Sequence, residues 1–165
     1  MTYDEARRYL LQRAQELGID AEILTDEKRE LTLGAFEGRL AETTQASQGG
    51  IGLRVVTRGK VGYASTEERS KDALEWALQE AVDNAELQSS TGGFLPEGQA
   101  LGQNDLLSEG LSAPLEEKAR KALELEQGLR SDPRLRQVAL ARYHETEQSV
   151  MLGSTRGALG GYRSG

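Results

Sequence analysis

The stretch GIGLRVVTRGKVGYAST, residues 50–66, decides the fold of the chain around it. Two apolar, β-branched runs are separated by Arg58-Gly59, and a two-residue loop between such runs predicts a β-hairpin. In that hairpin Thr57 pairs with Lys60, and every later pair follows from this register. Glycines also stand inside the two strands, where they carry no side chain to pack.

The predicted register gives the hairpin two different faces. One face is apolar and partly flat, and it consists of Leu53, Val55, Gly62 and Ala64. The other face carries Arg54, Val56, Val61 and Tyr63, so that the Arg54 guanidinium can stack on the Tyr63 ring across the strands. Residues 67–87 follow with many alanines at helical spacing. A helix of this kind needs close approach to its sheet, and we expect the strand glycines to make that room.

The first fifty residues read as a helix followed by strands. Residues 2–18 are amphipathic, and Thr2 with Glu5 three residues later has the spacing of a capping box. Residues 20–26 and 29–36 alternate apolar and polar, and Glu37-Gly38 is a plausible turn into a more polar strand at 39–48.

After residue 88 the composition changes. Residues 89–112 are rich in Ser, Gly, Gln and Asn, which predicts a linker or a long loop with short ordered pieces. A helix is predicted from Pro114 to about Leu129, followed by strands at 135–143 and 147–153. The expected fold class is therefore α+β: a mixed or antiparallel sheet covered by helices in 1–88, then a second, smaller α+β unit in 113–165. The last residues hold little apolar content, so we expect the chain to be the front part of a longer protein.

Composition excludes several classes of function. The chain has 165 residues, a formal net charge of −7, no cysteine and one histidine. An acidic chain without clustered Lys and Arg is not expected to bind nucleic acid. The absence of cysteine rules out disulfides and thiolate chemistry, and no apolar run is long enough for a membrane span or a signal peptide. A cytoplasmic protein is the simplest interpretation.

Two short motifs resemble catalytic signatures and fail on their spacing. Gly59-Lys60 lacks the first glycine of a phosphate-binding loop, because that position holds Arg54, and Val61 stands where Ser or Thr is required. His144-Glu145 lacks a second zinc-binding histidine, since Gln148 and Ser149 occupy the two candidate positions. We expect His144 to be an exposed residue at a strand end, and no zinc or other cofactor in this chain.

The remaining notable residues have structural interpretations. The acidic pairs Glu67-Glu68 and Glu116-Glu117 stand in the opening turns of predicted helices, where they complement the helix dipole. Trp76 is expected to be a core or interdomain anchor. Arg54 has two interpretations that the sequence leaves open: it stacks on Tyr63, or it contacts a partner chain or peptide.

Residues 50–66 resemble the signature of the TldD/PmbA family, also called modulators of DNA gyrase. The family has a G-x-G-x-R strand, a turn and a G-[FY]-A strand, which correspond here to Gly50, Gly52, Arg54, Gly62, Tyr63 and Ala64. The resemblance covers roughly residues 1–88 and continues more weakly through residues 114–157. The Ala64-Ser65-Thr66 ending is more similar to the PmbA (TldE) branch.

The resemblance implies a component of a cytoplasmic metallopeptidase assembly that processes or degrades unfolded peptides. In such assemblies a TldD-type subunit holds zinc in an HExxxH motif in its C-terminal half, and a TldE-type partner lacks the metal. This chain contains no such motif, so no metal or catalytic residue is transferred to it. The implied partners are a TldD-type subunit or a second copy of the chain, and unfolded peptide.

Two functions from different classes follow. The first is a non-catalytic N-terminal module of this peptidase family, which contacts other subunits and guides an extended peptide, with Arg54 and Tyr63 as the contact residues. In that case Gly50, Gly52, Gly62 and Ala64 have structural roles. The alternative is a free-standing α+β binding or structural domain without any peptidase role.

Overall fold

The computed structural model describes residues 1–165 and shows an α+β fold, as the sequence predicts. Six strands form one open, mixed sheet in the order β3-β2-β1-β5-β6-β4, so that β3 and β4 are the edge strands. The helices are α1 (Tyr3–Glu16), α2 (Lys71–Glu86) and α3 (Leu115–Arg130), with a short 3-10 helix at Glu109–Ser112. The strands are β1 (Asp20–Phe36), β2 (Arg39–Thr57), β3 (Lys60–Thr66), β4 (Ala100–Leu106), β5 (Ala141–Ser154) and β6 (Leu159–Ser164). No helix is both long and apolar enough to cross a bilayer.

The β2–β3 hairpin has the predicted turn and register. Arg58 and Gly59 have φ angles of 52° and 74°, the positive values that a type I′ turn requires at both central residues. Strand β2 pairs antiparallel with β3, and Arg54 lies opposite Tyr63. The predicted turn between β1 and β2 is also confirmed, because Glu37 and Gly38 have φ angles of 52° and 74°.

The strands are longer than predicted. Strand β1 runs without interruption where two strands were expected at 20–26 and 29–36, and β2 likewise continues through Gly49. Strand β5 continues through His144, where a break was expected, and residues 135–140 precede it as irregular chain. The glycine-rich end of the chain, for which no strand was predicted, forms β6. Backbone pairing with neighbouring strands holds these polar and glycine residues extended, which alternation of side chains cannot reveal.

Capping residues set the helix starts. Thr2 and Glu5 form the predicted capping box of α1. Helix α2 begins at Lys71 with Ser70 as its N-cap, so Glu67 and Glu68 precede the helix and do not lie in its first turn. Pro114 is the N-cap of α3 rather than its first helical residue, and Glu116 and Glu117 lie in the first turn as predicted.

The segment 89–112, predicted as a linker or a long loop with short ordered pieces, contains β4 and the 3-10 helix. The chain forms two compact units, each built from separate segments. Unit 1 comprises Met1–Glu27, Gly49–Asp105 and Ser149–Arg163, and unit 2 comprises Lys28–Gln48, Leu106–Gln148 and Ser164–Gly165. The domain boundaries predicted at 88 and 112 stay a prediction, and each compact unit combines segments that are separate along the chain.

Unit 1 contains the larger core. Helices α1 and α2 pack against strands β1 and β2 through small and branched apolar residues: Ala6, Leu10, Ala14, Ala21, Ile23, Ile51, Leu53, Val55, Leu74, Ala77, Leu78, Ala81 and Ala85. Trp76 does not belong to this core, since 59% of it is exposed. Trp76 is therefore not a core anchor, and its alternative role as an interdomain anchor stays a prediction. The alanines of α2 fill the contact with the sheet and leave the large indole on the outer surface.

Unit 2 contains a smaller core, formed where α3 packs on strands β1 and β5. Its buried apolar residues are Leu33, Ala35, Ala122 and Ala141. Polar groups are buried beside this core. Lys118 is 6% exposed, and its ammonium donates to the Leu111 carbonyl at 2.8 Å and to Glu145 at 2.7 Å.

Candidate binding groove on the open face of the hairpin

Gly62 determines which face of the hairpin the helices cover. A Cβ atom placed on Gly62 would lie 2.0 Å from the Ala81 carbonyl oxygen and 2.9 Å from the Ala85 Cβ. Both distances are too short for any side chain, so α2 contacts the strand backbone directly. The apolar face with Leu53 and Val55 is thereby buried, and neither helix of unit 1 packs on the opposite face.

Two side-chain contacts hold α2 to α1. The Tyr9 hydroxyl donates to Glu75 Oε1 at 2.6 Å, and Arg13 Nε donates to the same oxygen at 2.7 Å. The hydrogen bond from Arg13, followed by that from Tyr9, lowers the pKa of Glu75 below its ordinary value. Conversely, the hydrogen bond to Glu75 raises the pKa of Tyr9, because ionisation would remove the donated proton. These hydrogen bonds hold α2 in place on the Leu53 and Val55 face of the hairpin, so that the face with Arg54 and Tyr63 stays uncovered.

An open groove of about 590 Å³ lies on that face. Its lining includes the predicted contact residues Arg54 and Tyr63, and also Glu22, Leu24, Ser65 and Leu152. Leu24 is 43% exposed and Tyr63 is 63% exposed. The groove therefore combines exposed apolar side chains with a charged pair, which is the usual composition of a binding surface.

Arg54 lies against an acidic partner instead of an aromatic ring. Its Nη1 donates to Glu22 Oε2 at 3.1 Å, and its Nε is buried without a hydrogen-bond partner. The cation–π contacts of unit 1 lie elsewhere, at Arg69 on Tyr3 and Lys71 on Tyr9. The stacked interpretation of Arg54 is thus replaced by an ion pair with Glu22 that leaves one N–H of the guanidinium unused. Folded proteins leave few buried donors unsatisfied, so this N–H distinguishes Arg54 from the other residues of the groove.

Tyr63 stands beside Arg54 as its cross-strand partner. The backbone carbonyl of Tyr63 accepts a hydrogen bond from Asn84 Nδ2 of α2 at 3.0 Å, which anchors this part of β3 while the side chain remains exposed. Tyrosine is enriched at binding surfaces because it presents a large apolar area and a polar hydroxyl.

The signature glycines have different roles. Only Gly62 makes room for the helix. A Cβ on Gly50 would have its nearest neighbour at 3.8 Å, and a Cβ on Gly52 would have none within 4 Å. The expectation that all strand glycines make room for packing is therefore wrong for Gly52, which instead lines the groove and keeps it free of a side chain. Ala64 is half-buried at the edge of the same groove.

The other sequence candidates do not form a reaction centre. His144 is exposed as expected, but it lies inside β5, with Thr32 Oγ1 2.9 Å from its Nδ1. No group of three or more His, Cys, Asp or Glu side chains is arranged to hold a metal ion. Glu145 accepts hydrogen bonds from Lys118 and from the Tyr143 hydroxyl, the latter at 2.6 Å.

Sequence reasoning identified Arg54 and Tyr63 and missed the rest of the groove. Glu22 and Leu24 alternate with the buried Ala21 and Ile23, so alternation already placed them on the open face of β1. Leu152 lies inside the strand predicted at 147–153, but it follows the apolar Val150 and Met151, so no alternation assigned it to one face. The pairing of β1 with β2 that brings Glu22 to Arg54 depends on a long strand register that no local pattern specifies.

Comparison with known proteins supports one family throughout. Residues 21–85 match the profile of the PmbA/TldA metallopeptidase domain 1, and residues 109–165 match that of the PmbA/TldA metallopeptidase central domain. No curated protein matches the chain.

Three solved structures share the fold. A proposed modulator of a DNA gyrase from Thermotoga maritima MSB8 is 20% identical with a TM-score of 0.72, and the match covers 99% of this chain and 37% of that one. TldE from Thermococcus kodakarensis is 15% identical with a TM-score of 0.68, and the match covers 94% of this chain and 37% of that one. A proposed modulator of DNA gyrase from Bacteroides thetaiotaomicron VPI-5482 is 17% identical with a TM-score of 0.67, covering 97% of this chain and 38% of that one.

The chain thus spans 37 to 38% of the length of these three relatives. The two family domains follow one another in the expected order, and the signature glycines and Arg54 lie on the predicted hairpin. On these grounds the chain belongs to the PmbA/TldD family.

Proposed function

We propose that this chain is the N-terminal, non-catalytic part of a TldE-like component of a cytoplasmic metallopeptidase assembly, and that its groove contacts unfolded peptide. The observation that carries the proposal is the groove itself: exposed apolar side chains surround Arg54, whose buried Nε has no hydrogen-bond partner. Two comparisons also support the proposal: the chain belongs to the PmbA/TldD family, and its fold is similar to that of TldE from Thermococcus kodakarensis.

The chemistry of an unfolded peptide matches this surface. Such a peptide exposes backbone carbonyls and apolar side chains together, whereas a folded protein buries most of them. A carbonyl of the peptide can accept a hydrogen bond from the partly exposed guanidinium of Arg54, while an apolar side chain packs between Tyr63 and Leu152. Strand β3 is an edge strand, and an edge strand can take an extended peptide as an additional strand.

In this proposal the zinc and the peptide-cleaving groups belong to a TldD-type subunit. The partner is that subunit or a second copy of this chain, and contact with it is the other role of the module. The competing function is a free-standing α+β binding domain that uses the same groove. The two differ in one observable: only the peptidase component copurifies with a zinc-bearing relative from its own cell.

Binding of a fluorescein-labelled unfolded peptide, measured by fluorescence anisotropy, tests the groove. Tyr63→Ser and Arg54→Gln should each weaken binding by roughly tenfold, the scale of one well-placed contact. Trp76→Ser is the matched control, because Trp76 is an aromatic residue of similar exposure, 59% against 63% for Tyr63, and lies on α2 outside the groove. Equal affinities for the Tyr63 and Trp76 variants would contradict the proposal.

A further inference from the structure

Glu126 is a buried carboxylate with an unmet hydrogen-bonding requirement. It lies on α3 and is 0% exposed. Its Oε2 accepts a hydrogen bond from the Gly38 amide in the β1–β2 turn at 3.2 Å, but its Oε1 has no hydrogen-bond partner. Arg130 Nε lies 3.6 Å from Oε1, close enough for charge attraction and too far for a hydrogen bond. Burying a charged oxygen costs free energy unless a donor forms a hydrogen bond to it. We therefore expect a ligand or a water molecule to donate to Oε1.

A cavity of about 330 Å³ adjoins Glu126, and we call it the Glu126 cavity. Its charged lining consists of two carboxylates and two guanidiniums, from Glu37, Glu126, Arg130 and Arg136. Its apolar wall consists of Phe36, Leu135 and Val138. The lining is neutral in sum and carries both signs of charge beside an apolar surface. A simple cation or a simple anion would match only half of it.

We propose that the Glu126 cavity binds a small apolar α-amino acid in its zwitterionic form. The ammonium of the ligand donates to Glu126 Oε1, and its carboxylate lies between Arg130 and Arg136. The ligand side chain packs on the apolar wall. Charge-assisted hydrogen bonds of this kind are short and strong, and a guanidinium is well suited to a carboxylate. The volume of the cavity is in the range of small-ligand sites.

This site is separate from the groove in unit 1, and its residues all belong to unit 2. It requires both charges on one small molecule, which distinguishes a free amino acid from the end of a peptide. A peptide amino terminus supplies only the ammonium, and a peptide carboxy terminus supplies only the carboxylate. Blocking either group of the ligand is therefore the sharpest probe.

The test is a titration of the isotopically labelled chain with L-leucine, followed by the backbone amide resonance of Gly38. This amide donates directly to Glu126, so it reports occupancy of the cavity. L-leucine should shift the resonance saturably, while N-acetyl-L-leucine and L-leucinamide should bind at least about tenfold more weakly, as expected for loss of one charge-assisted contact. If the Gly38 resonance stays unchanged up to the solubility limit of leucine, the Glu126 cavity holds only ordered water, and the proposal is wrong.

Variants separate binding from folding. Glu126→Gln keeps an acceptor for the Gly38 amide and should weaken leucine binding by roughly tenfold. Arg136→Gln changes an exposed side chain, so it tests the carboxylate contact even if the first variant folds poorly. Arg120→Gln is the control, since Arg120 lies on the same helix, pairs with Glu124 and does not line the cavity. Equal leucine affinity in the wild type and the Arg136 variant would refute the zwitterionic site. Equal affinity of the wild type for L-leucine and N-acetyl-L-leucine would refute it as well.

Discussion

Gly62 on β3 faces Ala85 on α2 with no space between them, because a Cβ atom on Gly62 would lie 2.5 Å from the Ala85 backbone nitrogen. The helix therefore packs on the strand backbone itself. This contact buries one face of the hairpin, and the opposite face, with Arg54 and Tyr63, remains open as a groove. The packing at one glycine thus determines which face of the hairpin carries the groove.

Substitution at Gly62 should be costly for folding. Gly62→Val should lower the free energy of unfolding by about 1–3 kcal/mol or more, because it overpacks a contact that is already closed. Arg54→Ala should cost about 1 kcal/mol or less, since its ion pair with Glu22 is partly exposed. Urea unfolding of both variants shows which face of the hairpin contributes more to stability. A greater loss for Arg54→Ala would mean that the arginine face is the structural one.

Gly52 should behave in the opposite way, although it belongs to the same signature. Its missing Cβ has no neighbour within 4 Å, so Gly52→Val should change stability by no more than about 0.5 kcal/mol. The new side chain would stand in the groove and should weaken binding of the unfolded peptide. Parallel urea unfolding and anisotropy measurements test this. A strongly destabilised variant, or one that binds as the wild type does, would show that Gly52 does not keep the groove free.

The contact between α1 and α2 should make stability depend on acid pH through Glu75. Arg13 and Tyr9 lower the pKa of Glu75 below its ordinary value of 4.5. A carboxyl group with a lowered folded-state pKa stabilises the fold above the unfolded-state pKa, and this contribution is lost as pH falls through the folded-state pKa. The stability difference between the wild type and Glu75→Gln should accordingly be constant near neutrality and shrink below about pH 4.5. If the stability difference grows on acidification, the pKa of Glu75 is raised in the folded state and not lowered.

Tyr143 should ionise only at strongly alkaline pH. Burial, and then its hydrogen bond to Glu145, raise the pKa of Tyr143 to about 12. The raised pKa stabilises the fold below the unfolded-state value of about 10, and this contribution is lost as pH rises toward 12. The difference between the ultraviolet titrations of the wild type and Tyr143→Phe isolates this phenol. Glu145→Gln should lower the pKa, and a Tyr143 that titrates near 10 in the wild type would contradict the buried network.

The hairpin could be predicted because its determinants are local. Arg58-Gly59 specifies a two-residue turn, the turn specifies the register, and the register assigns Gly62 and Arg54 to opposite faces. The alanines of the following helix indicate which of those faces is covered. In this part of the chain the fold and the core of the candidate site follow from the neighbouring residues 50–87.

The features that sequence reasoning missed depend on distant pairing. Glu22 reaches Arg54 only because β1 and β2 are long and pair over many residues, and the polar residues inside them read as breaks. Trp76 was expected to be a core or interdomain anchor, but the close contact of α2 with β3 admits only small residues and leaves the indole exposed. Glu126 was invisible as a buried group, since a glutamate in an amphipathic helix is normally exposed.

The most direct test of the groove is site-specific photocrosslinking to an unfolded peptide. Ser65 lines the groove and is exposed, so a p-benzoylphenylalanine at this position leaves Arg54 and Tyr63 in place. The same residue at Gln79, exposed on α2, serves as the control. Crosslinking of the peptide from position 65, competed by unlabelled peptide and absent from position 79, is the predicted result. Equal crosslinking from both positions, or none from position 65, would contradict the groove as the site of peptide contact.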